Sequence, residues 1–251
     1  MTLQRLIIPL LCLLLALSFI SAVADVGRDG ATDLAVAQDR NRTLEDRLGA
    51  IRTVGRSGDE RHANPMLRML RDTGEDRRVR AGAVVALTEM NRARPDILEA
   101  YEEVYRDRKT DENLRYAILL SLGTLKAEES QALIAEALSD GDDRLRFKAA
   151  QALGMIGSAE AVHLLVARLD AEPDRMVRAE IVRAVGRSGS AYAEGVLARV
   201  LGTDPHPLVR YNAALSLAAL PALGAEGLQA LRAALDDPSS LVRRIAQEAA
   251  R

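Results

Sequence analysis

The sequence predicts an all-α solenoid built from antiparallel helix pairs, and three observations predict it. First, an apolar residue followed by Arg recurs as Val79-Arg80, Leu114-Arg115, Leu145-Arg146, Val177-Arg178, Val209-Arg210 and Val242-Arg243. The Arg spacings are 35, 31, 32, 32 and 33, and one more period back lands on Arg47. A fixed period in this range marks stacked structural repeats. Second, the register continues past the Arg. Three residues on stand Ala50, Ala83, Ile118, Ala149, Ile181 and Ala213; seven on stand Val54, Leu87, Leu122, Leu153, Val185 and Leu217. Apolar positions every four residues make one stripe of an amphipathic helix. Third, no segment alternates with period two, so no sheet is expected.

Each unit opens with a capped helix. Thr43, Asp76, Asp111, Asp142, Asp174 and Ser239 lie four residues before the Arg. Their side-chain oxygens suit the free N–H groups of a first turn. His206 departs from this, and there Asp204-Pro205 is expected to cap one turn earlier. Eleven residues after the Arg come Gly58, Asn91, Gly157 and Gly189, suited to the left-handed position that ends a helix; Lys126 and Pro221 are exceptions. A turn and a second amphipathic helix follow. In the fourth unit this is Ala159 to Asp170, with Leu165 and Leu169 one turn apart on the buried side; Met66 and Leu70, and Leu231 and Leu235, are equivalent pairs. Each second helix ends near an Asp, such as Asp140, Asp204 or Asp237. The count is six helix pairs plus a last unpaired helix from about Ser239.

The first 24 residues read as an address. Met1 to Arg5 carries one positive charge, Leu6 to Ile20 carries none, and Ala22-Val23-Ala24 supplies a small-residue cleavage site before Asp25. This is the layout of a secretory signal peptide. The alternative is an anchor formed by residues 6–20, a run short for a spanning helix of ~20 residues. Cleavage removes Cys12, the only Cys, and leaves a chain compatible with an oxidising compartment. Residues 25–42 read as a polar leader with one weak turn around Leu34, and residues 43–251 as the solenoid. The expected location is periplasmic or secreted. With 34 Lys+Arg against 36 Asp+Glu, the chain lacks the basic footprint of a nucleic-acid binder.

The pattern Asp-x-x-x-Arg-x-x-Ala-x-x-Ala-Leu-Gly, carried most fully from Asp142 to Gly154, resembles HEAT-like repeats. It looks most like the short type found in phycobilin-lyase-like bacterial proteins, and the resemblance covers Thr43 to Arg251. It implies a right-handed, armadillo-type superhelix whose second helices line a concave, partner-binding side. The spacing is shorter than the usual ~40–47 of HEAT repeats, which argues for minimal loops. A HEAT-like di-iron hydroxylase family uses His-Glu pairs as ligands, and this chain has no such dipeptide.

On the second helices, the positions 21 to 23 residues after each Arg include Glu102 and Glu136 in units two and three, then Arg168, Arg199 and Arg232 in units four to six. Such an Arg row suits an acidic partner, because guanidinium groups clasp carboxylates bidentately. The competing reading is a solvated face of mixed charge. Tyr101 and Tyr105 are aromatic candidates for a contact, or else fill the core. Tyr116 and Phe147 share a register and are expected to stack, with Tyr211 two units on. The Arg47-to-Arg243 row, each Arg just after a capping Asp, suggests ladders of Asp–Arg contacts between adjacent units. No catalytic residue, cofactor or metal site is assigned. His62, His163 and His206 lie in different units, and Asp140, Asp142 and Asp143 read as a turn with an N-cap, since Gln151 stands where a calcium loop needs Glu. The functional expectation is an exported, monomeric, non-catalytic scaffold or adaptor for a protein partner. Membrane contact is expected only through the N-terminal segment, if that is retained. The alternatives are an accessory enzyme or small-molecule binder of the phycobilin-lyase-like type, and a membrane-anchored envelope scaffold.

Overall fold

The computed structural model describes residues 30–90, 93–190 and 192–249. The signal segment, its Cys12 and cleavage site, and the expected cap Asn91 lie outside the described residues. The described chain holds fourteen α-helices and three short 3-10 turns, with no strand among them. The first helices of the pairs are α2 (Leu44–Ser57), α4 (Arg77–Glu89), α6 (Glu112–Thr124), α8 (Asp143–Ile156), α10 (Arg175–Arg187) and α12 (Pro207–Ala218). The second helices are α3 (Ala63–Arg71), α5 (Pro95–Arg106), α7 (Gln131–Leu138), α9 (Ala159–Leu169), α11 (Ala193–Thr203) and α13 (Ala225–Ala233). The terminal helices are α1 (Gly30–Gln38) and α14 (Ser240–Ala249).

Successive first helices stack side by side, and second helices such as α3, α7 and α11 pack on the first helix of the following pair. Every apolar position of the repeating stripe is buried, from Ala50 and Val54 to Val209, Ala213 and Leu217. Each unit thus covers its apolar face only with its neighbours, as a solenoid requires.

The leader departs from expectation. Gly30–Gln38 is a helix packed on α2, with Ala37 in the core. Ala37 stands one period of 33 before Leu70, so α1 takes the place of a second helix. Six pairs therefore sit between two half-repeats. The helix starts also follow from side-chain chemistry. Thr43, Asp76, Asp111, Asp142 and Asp174 each accept first-turn N–H groups. At α12 the cap is His206 itself, whose Nδ1 accepts the Leu208 N–H at 3.2 Å; the expected earlier cap at Asp204-Pro205 does not form. Asp204 is engaged elsewhere, as described below. Gly58, Gly157 and Gly189 are left-handed, and so is Lys126, with φ 51°. The turn geometry is common to these units even where the residue is not Gly: Ala127 N–H reaches back to Leu122 O at 3.0 Å and buries the Ala127 side chain.

Tight contact between first helices explains the Ala-Leu-Gly signature. Gly55, Gly123, Gly154 and Gly186 stand eight residues after their Arg and face Ala86, Ala152, Ala184 and Ser216, six residues after the next. A Cβ on Gly154 would lie 2.6 Å from Ala184 Cβ. Between units two and three the seam changes, because Thr88 and Ser121 hold the equivalent positions.

Candidate protein-binding surface

Three systems of side chains run along the solenoid. The innermost is the Arg ladder. Arg47 Nη1 and Nη2 clasp Glu75 at 2.9 and 2.6 Å. Arg146 holds Glu172 bidentately at 2.9 and 2.8 Å, Arg178 holds Asp204, and Arg210 holds Asp237. The partners are not the capping Asp residues, whose oxygens already hold first-turn N–H groups. They lie one or two residues earlier and accept the N–H of the cap residue as well, as Glu172 does from Asp174 at 2.9 Å. From Arg146 onward each guanidinium also fixes its own loop: Arg146 donates to the carbonyls of Asp140 and Gly141, Arg178 to those of Glu172 and Pro173, and Arg210 to those of Asp204 and Pro205. From Arg146 to Arg243 these contacts form one unbroken relay. The Arg210 side chain holds the Asp237 carboxyl below its ordinary range, aided by the Ser239 N–H.

The second-helix face is a lattice of paired charges. Arg168 does not project freely. It bonds Glu172 through Nε at 3.0 Å, sharing that buried carboxylate with Arg146. Arg199 reaches back one unit to Asp170 at 2.8 Å. Arg232 is exposed and makes no ion pair among the described residues. Glu102 pairs with Arg106 at 3.0 Å and accepts the Ser130 hydroxyl, while Glu136 lies 3.4 Å from the same Arg106. The expected basic stripe is thus largely neutralised. Tyr101 is fully buried; its hydroxyl donates to Val84 O at 2.9 Å and contacts Thr88, and burial raises its pKa. Tyr105 is also buried, with the Arg115 guanidinium 5.7 Å over its ring. Both tyrosines fill the core.

The third system is on the first helices. Seven large apolar side chains are left exposed among the described residues: Val85, Met155, Met176, Leu215 and Leu241 on first helices or the terminal half-repeat, and Tyr192 and Leu228 at the start of α11 and on α13. Tyr116, Phe147 and Met176 line a cleft of about 400 Å³ together with Asp143, Arg144, Lys148 and Asp174. No ring stacking joins Tyr116 to Phe147 among the described residues. Instead Lys148 Nζ lies 5.7 Å over the Phe147 ring, and Tyr116 donates to Asp142 at 3.0 Å. Burial and that neighbouring carboxylate push the Tyr116 pKa up to about 12. A second cleft of about 430 Å³ repeats the Phe147–Met176 register two units on, lined by Leu208, Tyr211 and Leu241.

Residues 100–186 and 164–251 match the family described as HEAT repeats, together more than half of the chain. The chain belongs to the HEAT repeat family. No curated protein matches it. Among solved structures, the complex of CpcE and CpcF of phycocyanin lyase from Nostoc sp. PCC7120 is 19% identical, with a TM-score of 0.51, covering 89% of this chain and 94% of that one. Human deoxyhypusine hydroxylase in complex with glycerol is 21% identical, with a TM-score of 0.42, over 91% and 96%. A designed armadillo repeat protein in complex with peptide (KR)4 is 14% identical, with a TM-score of 0.42, over 89% and 100%. At such identity the likeness to the lyase shows the fold.

The HEAT pattern also explains which surface residues the repeat reading passes over. Met176 and Leu241 stand two residues before the Arg, Val85 and Leu215 five after, and Met155 nine after. The first four fall on positions the pattern leaves free, and Met155 lies just past its end. Their signal is an apolar residue where the stripe does not require one.

Proposed function

We propose that this HEAT repeat protein is an exported, non-catalytic scaffold that binds a partner protein along its first-helix face. The observation that carries the reading is that five of the seven exposed large apolar side chains among the described residues lie on that face, with Met176 and Leu241 lining two clefts in the same register. Apolar side chains gathered on one face beside a cleft suit an interaction site, because apolar anchors seated in pockets dominate protein–protein binding. The second-helix face offers less, because Arg168, Arg199, Glu102 and Glu136 are already in ion pairs and only Arg232 of the row is left without one among the described residues. The N-terminal address supports export.

A photo-crosslinking amino acid placed at Met176, and separately at Arg232, tests the face in the native host. The expected outcome is one defined crosslinked partner from position 176 and none from 232, with loss of the adduct in Phe147→Asp. A partner captured only from position 232 would return binding to the second helices. An intact mass beginning at Asp25 is expected for the purified protein; a mass retaining Met1 would overturn cleavage and favour the anchor.

A further inference from the structure

In the filled rungs of the ladder, each carboxylate comes from one or two residues before the next cap: Glu75 before Asp76, Glu172 before Asp174, Asp204 before His206 and Asp237 before Ser239. Before the cap Asp111 those two positions are Lys109 and Thr110. Neither supplies a carboxylate. Yet Arg80 adopts the posture of Arg47. Its Nε donates to Leu70 O at 2.8 Å, as Arg47 Nε does to Ala37 O at 2.9 Å, and both side chains are buried. The outer nitrogens of Arg47 then close on Glu75, whereas those of Arg80 have no carboxylate within 4.0 Å and no hydrogen bond among the described residues. Asp107 accepts the Lys109 N–H, and Asp111 accepts those of Asn113 and Leu114. Thr110, in the register of Glu75, is buried with its hydroxyl unpartnered.

We propose that this open rung is a binding site for a carboxylate supplied by another molecule. The Arg80 guanidinium takes its two oxygens, as Arg210 takes those of Asp237, and the Thr110 hydroxyl and Lys109 ammonium complete the shell. A buried guanidinium lacking its counter-charge is costly, and an orphaned hydroxyl adds to that cost. Bidentate geometry selects a carboxylate over a spherical anion. Two of the filled rungs border open clefts: Arg178 and Asp204 line one of about 280 Å³, and Arg210 and Asp237 one of about 420 Å³. The carboxylate belongs either to a free small acid or to a Glu or Asp side chain of a protein. The site stands independently of the first-helix face.

The test uses the full chain, with thermal melts and titration calorimetry in succinate, in the blocked peptide acetyl-Ala-Glu-Ala-amide, and in chloride at equal ionic strength. The expected result is a saturable rise of about 2–4 °C with either carboxylate and none with chloride. Lys109→Glu and Thr110→Glu fill the rung from within. At least one should melt higher than wild type without ligand and lose the response. Saturation at tenfold lower peptide than succinate assigns the group to a protein side chain, and the reverse order assigns a free acid. A wild type that responds to neither carboxylate, or a response that persists in both variants, overturns the proposal.

Discussion

Glu172 receives three groups at once: the Arg146 guanidinium through two nitrogens, Arg168 Nε, and the Asp174 N–H. Its side chain has no exposed surface. Burial pushes its pKa up, but the bonds from Arg146, Asp174 and Arg168 outweigh burial and hold it below the ordinary 4.5. Glu75 is likewise lowered, first by the Arg47 guanidinium. A carboxyl whose pKa is lower folded than unfolded contributes stability that is complete above its unfolded pKa and is lost as pH falls through the folded value. Melting temperature should therefore hold from pH 7 to about 5 and decline below about 4.5. Glu172→Gln should cost about 3–5 kcal/mol at pH 7, because Arg146 stays buried without its counter-charge, and should flatten the acid decline. Glu103→Gln, which breaks the partly exposed Arg71 pair, should cost under about 1 kcal/mol. Urea unfolding of the two variants at pH 7 and pH 4 checks both. Equal costs would show that the ladder adds no more than a surface pair.

At the scale of the helix, glycine has two opposite meanings. Gly154 of α8 lies where a Cβ would press on Ala184 Cβ at 2.6 Å and Cα at 3.0 Å, whereas Gly49 of α2 has nothing within 4 Å of such a Cβ. Gly154→Ala should destabilise by about 1–3 kcal/mol through overpacking, while Gly49→Ala should stabilise by up to about 1 kcal/mol through helix propensity. Paired melts measure the two signs, and a stabilising Gly154→Ala would remove the seam as a packing constraint. The same contrast shows what was legible in sequence. The stripe, the six helix pairs and the Thr and Asp caps rest on local chemistry repeated along the chain, so they could be read directly. Helix α1 was missed because its stripe is weak: only Leu34 and Ala37 continue the register, and Asp33 is buried where Met66 stands one unit on. The ladder was legible in Arg but not in its partner, because a capping carboxylate is already engaged by N–H groups and the acid just before it is free. The Arg168 row failed as a free face because Glu172 and Asp170, outside the positions compared, reach it. The binding face was hidden for a related reason: repeat reading attends to positions that recur, and Met176 or Leu215 does not.

Across the whole molecule, the repeats are bound only to their neighbours, so the weakest interface decides where the solenoid comes apart. Three features coincide between α4 and α6. The Arg80-to-Arg115 spacing of 35 is the longest in the row. Thr88 and Ser121 stand where Gly55, Gly123, Gly154 and Gly186 meet Ala86, Ala152, Ala184 and Ser216 at the four close seams. The rung between Arg80 and the next loop is open, and Arg115 beyond it has a buried Nε with no hydrogen bond. From Arg146 onward the relay is continuous to Arg243. Cooperative opening should therefore divide the chain near residue 107. In native-state hydrogen exchange, the helices of residues 30–106 should open as one unit at least about tenfold more readily than those of residues 143–249. Lys109→Glu should narrow that gap by closing the rung. Uniform protection across both blocks would show that apolar packing alone sets the cooperativity, with seam and ladder contributing little.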